Sequence, residues 1–516
     1  MSPRPPAAGA AAPPPPAPPP DVSGATLTRN AGFNLVSQGL PLVVALVAIP
    51  VLVQGLGMAR FGVLGIAWMI LTLTGEMGLG RAATRFAADA LGRGEPAAAA
   101  AVGRWTLLVQ GGLGLAAGGA MAWATPWLVE RAFDVPMDLR AEAHAGFLWV
   151  ALGIPVVALT APLRGMLEAA QRFGLVSTVR GAMGVANYLL PVAALLAGGD
   201  LATVLAVLVL SRAAGAVAFA VLTLRVFPGF LRRGPSRYDG GALARFGGWV
   251  TLSTVVSPLL VYIDRALLGV LAGVAAVGAY TAPFELVTRL GLIPGSLAAT
   301  LFPAYSSLRS MGRETELPLF VARPVKYVLA LVGLLAVAMA AGAEPVLRLW
   351  LGASYVPEAA VALRILALGV VLNAVAFIPF SLLQGVGRAD VTGKIHLVEL
   401  PFHVIVTFLL VSSLGVAGAA LAWTLRVGAD AALQFAAAAR VVPGSLAGPW
   451  RRTLAVAALL GAAGTAAVMA AGAGQGPWLR LGLVALALLP LLPLLWVVGL
   501  EAEERLLLIS LLRSRS

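Results

Sequence analysis

Apolar stretches of about twenty residues recur along nearly the whole chain, and this feature restricts the possible fold more than any other. Hydrophobic residues occupy 59% of the 516 positions and charged residues only 11%, whereas soluble proteins carry about a quarter charged residues. A stretch of roughly 20 apolar residues spans a bilayer as a helix. Because lipid offers no hydrogen bonds, the backbone must satisfy its own. We therefore predict an all-α polytopic membrane protein.

Fourteen transmembrane helices are predicted from these stretches. They lie at 31–54, 59–80, 103–123, 144–163, 177–197, 201–224, 246–268, 273–301, 324–343, 359–381, 393–412, 415–437, 453–472 and 478–500. In this arrangement 26 Lys and Arg residues fall on the side of the N-terminus, five on the opposite side and five within helices. Cytoplasmic segments carry such an excess of basic residues. Both termini are therefore predicted to be cytoplasmic.

The chain contains an internal repeat. The pattern Ala-Ala-Thr-x-Phe begins at Ala82 and again at Ala298, 216 positions later, and three further short matches follow nearly the same offset. Because the repeat spans six helices, an even number, both copies share one orientation. We expect a pseudo-two-fold axis along the membrane normal, and transporters built this way place the substrate path between the repeats.

The repeat predicts five parts of the chain. They are a disordered Pro/Ala-rich cytoplasmic tail at 1–28, a six-helix lobe at 29–224, a basic cytoplasmic linker at 225–245, a second six-helix lobe at 246–440, and two appended helices with a cytoplasmic tail at 441–516.

Composition argues against several classes of function. The chain has no Cys, which excludes disulfides, thiolate metal sites and cysteine nucleophiles. The net charge of +13 reflects membrane topology and anionic headgroups rather than nucleic-acid binding. A membrane glycosyltransferase or polymerase needs a large outer loop, whereas the longest predicted one covers only 124–143. We expect no enzymatic activity, no cofactor and no metal.

Several short motifs occur in a fixed order along the chain. They are Asn30 with Asn34, Leu56-Gly57 through Phe61-Gly62, Gly78-Leu79-Gly80 before Arg85, Gln171-Arg172-Phe173, Tyr262-Ile263-Asp264-Arg265, Val277-Gly278-Ala279-Tyr280, and Pro303-Ala304-Tyr305-Ser306. In this order they resemble the polysaccharide flippases of the multidrug/oligosaccharidyl-lipid/polysaccharide exporter superfamily. The resemblance covers residues 28 to about 440.

This resemblance implies a function and its surroundings. Members move undecaprenyl-diphosphate-linked oligosaccharides across the bacterial inner membrane for O-antigen, capsule or exopolysaccharide assembly. It implies alternating access with ion coupling, and a polysaccharide polymerase and chain-length machinery as partners. Lipid II flippases and cation-coupled multidrug exporters share the fold, so both remain alternatives.

Ionisable residues inside predicted helices are the main candidates for the substrate site, because charge in a bilayer usually faces a cavity or a partner. Arg212 and Arg426 lie near the midpoints of corresponding helices and could bind diphosphate through their planar guanidinium groups. Arg426 could instead pair with Asp430 one turn later. Arg85 matches a position that is typically basic in the resembling family, which suggests a phosphate-attracting role at the entrance.

The second half carries further charges in its helices. Asp264 and Arg265 are predicted to contact the cavity, and Glu285 and Arg289 are spaced as an i, i+4 pair that could either be structural or couple ion flow. Their expected counterparts in the first half are apolar. These counterparts are Val47, Ala48, Met69 and Leu73.

Two other carboxylates could take part in ion coupling. Glu399 shares a helix face with His396 and His403, a pattern that resembles a metal site, although no fourth ligand is identifiable. Glu76 could couple ions or form an interfacial ion pair with nearby Arg residues.

Proline interrupts corresponding helices in the two halves. Pro41 and Pro258 are 217 positions apart, and each removes a backbone donor and bends its helix. We expect them to act as hinges of moving elements or as static kinks.

Overall fold

The computed structural model describes the backbone of residues 24–76, 79–231 and 240–513, and the side chains of residues 39–75, 79–231 and 259–506, apart from Ala299 and Glu314, together with Ser510. All regular secondary structure in these ranges is helical, as predicted. The helices are α1 Gly24–Glu76, α2 Gly80–Gly92, α3 Pro96–Trp127, α4 Arg140–Ala169, α5 Phe173–Leu196, α6 Leu201–Val226, α7 Gly240–Thr288, α8 Leu292–Ser310, α9 Leu317–Ala341, α10 Ala343–Trp350, α11 Val356–Gly385, α12 Ala389–Val441, α13 Arg451–Ala473, α14 Pro477–Leu488, α15 Leu491–Leu494 and α16 Ala502–Arg513. Residues 1–23 and 232–239, with most of the predicted tail and part of the predicted linker, lie outside the described residues.

Helices α1, α7 and α12 are too long to cross a membrane once. Each has 49 to 53 residues, which at 1.5 Å per residue would extend about 75–80 Å, against a hydrocarbon core of about 30 Å. Each contains a glycine with φ of 54° to 81°, namely Gly57, Gly273 or Gly415. Glycine adopts this left-handed conformation without steric cost. At Gly415 the chain reverses, since a Cβ on Gly418 would lie 1.9 Å from the Leu410 carbonyl oxygen.

Eleven helices in the described ranges are long and apolar enough to span a membrane. If α1, α7 and α12 each cross twice, with their glycines at the turns, the total becomes fourteen. The multi-pass architecture is therefore confirmed, while the number fourteen stays a prediction.

The internal repeat is also present in the backbone conformation. Within the first 440 positions, the described residues with positive φ form five pairs at offsets of 216 to 218. These pairs are Gly57 with Gly273, Gly94 with Gly312, Asp134 with Gly352, Gln171 with Gly387, and Gly198 with Gly415. The two left over, Gly444 and Gly476, fall in the part predicted to be appended.

The burial of side chains before Gly57 and Gly273 shows which residues of α1 and α7 correspond to each other, and it corrects the correspondence expected from the sequence. At the offset of 216 between Gly57 and Gly273, Asp264 and Arg265 correspond to Ala48 and Ile49, which are both 3% exposed. The expected counterpart of Asp264, Val47, is 69% exposed, whereas Asp264 is fully buried. The expected assignments to Val47 and Ala48 were wrong by one position. Pro41 and Pro258, 217 apart, therefore do not occupy equivalent positions.

Two predicted loops are shorter than expected. The chain after the second predicted helix continues as α2, in which Ala82, Ala83, Ala87 and Ala90 are buried while Arg81 and Arg85 are exposed. Four buried alanines on one side of a helix give a packing surface that hydropathy alone does not reveal. The predicted outer loop at 124–143 is also reduced, because α3 ends at Trp127 and α4 begins at Arg140.

Packing places the helices in three groups. Helices α1 to α6 pack among themselves, α7 to α12 do the same, and α13 and α14 pack against α9 and α10. The main contact between the first two groups runs between α1 and α7. The lobe boundaries themselves stay predictions.

Candidate functional site

A cavity of about 480 Å³ lies between the first and second halves of the chain. Polar and aromatic side chains from both halves line it. From the first half these are Trp68, Thr72, Asn187 and Tyr188, and from the second half Tyr262, Arg265, Phe284, Glu285, Thr288, Arg289, Asn373 and Phe377. A cavity at the interface between repeats is where a substrate path is expected.

Part of the lining follows the repeat. Trp68 and Phe284 are 216 positions apart, as are Thr72 and Thr288, so α1 and α7 present the same kinds of side chain to the cavity. The positions that directly follow these pairs differ between the two halves. The second half has Glu285 and Arg289 where the first half has Met69 and Leu73, as predicted from the sequence.

Glu285 lies between two guanidinium groups. Nη2 of Arg289 donates a hydrogen bond of 2.7 Å to Glu285 Oε2 and another of 2.6 Å to the hydroxyl oxygen of Tyr188. Nη1 of Arg265 lies 3.8 Å from Glu285 Oε1. The bond to Tyr188 joins the two halves across the cavity. With two Arg and one Glu, the charged lining is positive overall.

Arg265 and its neighbour Asp264 are both buried but contact different groups. The Arg265 guanidinium lies 4.1 Å from the ring centroid of Phe284 and 5.2 Å from that of Tyr262, and its Nε has no partner. Asp264 accepts hydrogen bonds from the Tyr280 hydroxyl and from the Arg265 backbone N–H. Arg265 lines the cavity, whereas Asp264 is not among the side chains that do.

Arg212 lies behind the cavity wall. Its Nη2 donates a 2.8 Å hydrogen bond to Asn187 Oδ1, and its buried Nε has no partner. Asn187 lines the cavity, so Arg212 reaches it through that amide.

A second cluster of charges lies where the two arms of α12 meet. Ligand atoms of His396, Glu399 and Asp430 all lie within 4.8 Å of one another. Both carboxylate oxygens of Glu399 are buried without a hydrogen-bond partner. Asp430 accepts a 3.1 Å bond from Gln434 and lies 3.7 Å from His396 Nε2.

Arg426 belongs to this second cluster electrostatically but not as an ion pair. Among the described side chains, none of its nitrogens lies within 4.0 Å of a carboxylate oxygen, so the alternative of a pair with Asp430 is not realised. Two carboxylates face one guanidinium here. If both carboxylates are ionised and the histidines neutral, the cluster carries one net negative charge. His403 donates or accepts a 3.3 Å bond with Thr407 and lies outside the group of three potential ligands.

The remaining predicted site residues are placed as follows. Arg85 is exposed on α2 and is not among the residues that line the cavity. The side chains of Glu76 and Pro258 lie outside the described residues. Pro41 lies in α1, whose helical conformation continues through it, and a Cβ on Gly184 would lie 2.6 Å from its ring.

Sequence reasoning did not place nine of the polar or aromatic cavity residues at the site. They are Trp68, Thr72, Asn187, Tyr188, Tyr262, Phe284, Thr288, Asn373 and Phe377, of which Tyr262 was named only within a motif. The two asparagines carried a usable signal, since an amide within an apolar helix needs a partner. Trp68 and Thr72 could have been found by asking which residues recur as similar types at the repeat offset.

A larger cavity of about 590 Å³ lies between α9, α11, α12 and α13. Apart from Thr453, its lining consists of apolar residues such as Val325, Leu329, Phe435 and Trp450. No charged side chain lines it, so the chemistry of an ionic ligand belongs to the smaller cavity.

Comparisons with known proteins agree with this geometry. The sequence matches the family described as "Polysaccharide biosynthesis protein" over residues 27–309. A relative from Shigella flexneri, named "Putative O-antigen transporter", is 26% identical over 425 residues, which cover 79% of this chain and 96% of the relative.

Two solved structures show the same fold. A multidrug resistance MATE family transporter of the MOP superfamily, in an inward-facing conformation, matches with a TM-score of 0.66 at 18% identity, covering 80% of this chain and 98% of that chain. The lipid II flippase MurJ, in an inward closed conformation, matches with a TM-score of 0.67 at 12% identity, covering 90% and 96%. Because the family match spans more than half of the sequence, this chain belongs to the polysaccharide biosynthesis protein family, with the membrane-transporter fold of the MOP superfamily.

Proposed function

We propose that this chain is a flippase that moves undecaprenyl-diphosphate-linked oligosaccharide across the bacterial inner membrane by alternating access. The observation that carries the proposal is the cavity between the repeats, whose charged lining is Arg265, Arg289 and Glu285. A positive, half-polar cavity suits an anionic headgroup, while the prenyl chain stays in the lipid. The name of the Shigella relative supports an O-antigen substrate.

The lining divides by chemistry into groups for phosphate and groups for sugar. Arg265 and Arg289 offer planar guanidinium groups, which donate paired hydrogen bonds to phosphate oxygens. The aromatic rings of Trp68 and Phe284 provide flat apolar faces, and the amide of Asn373 provides a donor and an acceptor. Specific sites commonly combine apolar walls with a few placed polar groups in this way.

Cation coupling is assigned to the cluster on α12. With both acids ionised, Glu399 and Asp430 exceed the charge of Arg426 by one, and a single proton or monovalent cation neutralises that excess. Two acids held close together favour uptake of one proton, because like charges repel. Glu399→Gln is expected to leave substrate binding intact but to make translocation independent of an imposed pH gradient. Unchanged gradient dependence would contradict this assignment.

A cation-coupled multidrug exporter is the second candidate. The acid Glu285 beside the rings of Tyr262 and Phe284 is the kind of site expected for a cationic drug. Arg265 and Arg289, however, flank that acid and repel cations. Expression in a drug-sensitive host is expected to leave drug accumulation unchanged, and a marked decrease would favour the exporter.

The same proposal includes the membrane orientation of the chain and its protein partners. We propose that both termini lie in the cytoplasm and that a polysaccharide polymerase with its chain-length machinery receives the product. Fusions of alkaline phosphatase to the loops are expected to be inactive at basic loops and active at the opposite ones. Affinity purification from crosslinked cells tests the polymerase contact.

Translocation in reconstituted vesicles tests the function directly. Arg212→Ala and Arg426→Ala are each expected to lower translocation of lipid-linked oligosaccharide without loss of folded protein, because one supports the cavity wall and the other the coupling cluster. Arg348→Ala is the matched control, since Arg348 is half exposed and contacts Glu344 at 3.5 Å. Normal translocation by the Arg212→Ala/Arg426→Ala double variant would overturn these roles.

A further inference from the structure

At its closest point the contact between α1 and α7 joins residues that are related by the repeat. Gly62 approaches Gly278, and Gly65 approaches Thr281, each 216 positions apart. We call these two pairs the repeat seam. A contact between equivalent positions of two copies lies at the pseudo-two-fold axis that relates them.

The glycine pair in this seam brings the two backbones together. A Cβ on Gly62 would lie 1.7 Å from the Val274 carbonyl oxygen, and one on Gly278 would lie 2.3 Å from the Met58 carbonyl oxygen. Real Cβ atoms do not approach other atoms that closely, and in both cases the obstacle is backbone, which cannot rotate away. The contact therefore requires the absence of a side chain at both positions.

The seam changes along its length from contact to cavity. One turn further from Gly57 and Gly273, a Cβ on Gly65 would lie 2.8 Å from Thr281 Oγ1. Beyond that, Trp68 and Phe284 already line the cavity. The glycine contact thus closes the end of the cavity that is nearer to the two turns, which is the predicted extracytoplasmic end.

Two further hydrogen bonds join the halves at this end, and both are between neutral groups. The Trp350 indole N–H donates to the Leu46 carbonyl oxygen at 2.7 Å, and the Tyr355 hydroxyl donates to the Val53 carbonyl oxygen at 2.8 Å. No ion pair between described side chains of residues 39–231 and 259–441 crosses the interface. Separation at this end would break no ion pair of that kind.

We propose that the repeat seam is the outer gate of the transporter and that Gly62 and Gly278 are the residues that let it close. The proposal rests on the proposed alternating access. In the closed gate the two glycines bring the backbones into contact. In the open gate α1 and α7 separate at the turns and expose Trp68, Phe284 and the cavity beyond them to the outer side.

Cysteine accessibility tests the gate without requiring transport, because the chain has no native Cys. A thiol is introduced as Thr72→Cys, its own transport is measured, and a membrane-impermeant maleimide is added from the outer side. In this background Gly62→Ala or Gly278→Ala is expected to raise the labelling rate severalfold. Gly112→Ala and Gly119→Ala are matched controls on α3, since a Cβ there would meet nothing within 4 Å. Labelling equal to that of the controls, in folded protein, would overturn the proposal.

A disulfide across the seam gives a second measurement if the alanine variants do not fold. A Cβ on Gly65 would lie 3.5 Å from the Thr281 Cβ, within the range that disulfides require. Oxidised Gly65→Cys/Thr281→Cys protein is expected to lose transport and to recover it on reduction. Full transport by the oxidised protein would overturn the gate. If the labelling changes occur but the parent chain moves no oligosaccharide, the gate stands and the proposed substrate fails.

Discussion

The segments of α1 and α7 that follow Gly57 and Gly273 are equivalent helices of the internal repeat, but they carry different charged side chains. Both place an aromatic ring and then a threonine in the cavity, and both contact each other through glycine. Only the second copy adds Glu285 and Arg289, and before its turn it carries Asp264 and Arg265 where the first copy has Ala48 and Ile49. The shared residues build the interface, and the residues that differ supply the charge.

This difference suggests that the two copies have divided their tasks. The first half provides a mostly neutral wall that includes Asn187 and Tyr188, while the second half holds the ionic groups. Replacing charged residues of the second half by their counterparts in the first half therefore tests the role of the charges while the helix packing is kept.

The largest effect is expected from Asp264→Ala, which introduces the residue of its counterpart Ala48. The change leaves the buried Tyr280 hydroxyl and the Arg265 backbone N–H without the carboxylate that accepts from them. Each buried donor left without its acceptor costs about 1–3 kcal/mol. Thermal unfolding in detergent measures the loss, with the surface variant Asp390→Ala as control. An unchanged melting temperature would mean that Asp264 does not hold this part of α7.

Arg265→Ile introduces the residue of its counterpart Ile49. If Arg265 binds phosphate, translocation is expected to fall by about 10- to 100-fold, because a hydrogen bond to a charged group contributes about 1.5–3 kcal/mol. The rate in vesicles is compared with that of Arg348→Ala at equal amounts of folded protein. A rate within twofold of the parent would remove Arg265 from the substrate site.

Glu285→Met introduces the residue of its counterpart Met69. Arg265 and Arg289 then lack their neutralising carboxylate, so binding of an anionic lipid-linked sugar is expected to tighten by about tenfold, or about 1.4 kcal/mol. Equilibrium binding of the labelled substrate measures this change. Weaker binding would instead mean that Glu285 contacts the substrate itself or that its main role is to orient the two arginines.

The smallest effect concerns the starts of the corresponding helical segments after Gly198 and Gly415, which are 217 positions apart. Asp200 precedes α6 and accepts a 2.9 Å hydrogen bond from the Thr203 N–H, whereas the second copy has Ala417 there. Asp200→Ala is expected to cost about 1 kcal/mol, measured by thermal unfolding, with Asp138→Ala as control.

The hydrogen bonds between Asp200 and Thr203 also predict how the stability contributed by Asp200 depends on pH. Hydrogen bonds from the Thr203 hydroxyl and N–H lower the pKa of Asp200 below its usual 3.8. A carboxylate with a lowered folded pKa stabilises the protein above its unfolded pKa and loses that contribution as the pH falls through the folded value. The difference between parent and Asp200→Ala should therefore shrink only below about pH 4. A constant difference down to pH 2 would show that the carboxylate charge is irrelevant.

Sequence patterns identified the helices and the repeat well because both depend on local composition. Glu285 and Arg289 were found since charge in an apolar helix is conspicuous, and their pairing follows from helical spacing. Asp430 was not placed beside His396, because 34 positions separate them and only the reversal at Gly415 brings them together. The close approach at Gly62 could not be predicted either, since the only sign that such an approach leaves in the sequence is a glycine, and the chain has 59 of them.

The most direct test of the account is translocation by a chain whose second half is made to resemble the first. In Arg265→Ile/Arg289→Leu, both cavity arginines are replaced by the residues found at Ile49 and Leu73. Folding is checked by size-exclusion chromatography, and flipping of undecaprenyl-diphosphate-linked oligosaccharide is followed in proteoliposomes. The account predicts folded protein with translocation at the background of empty vesicles. Translocation at the parental rate would contradict it.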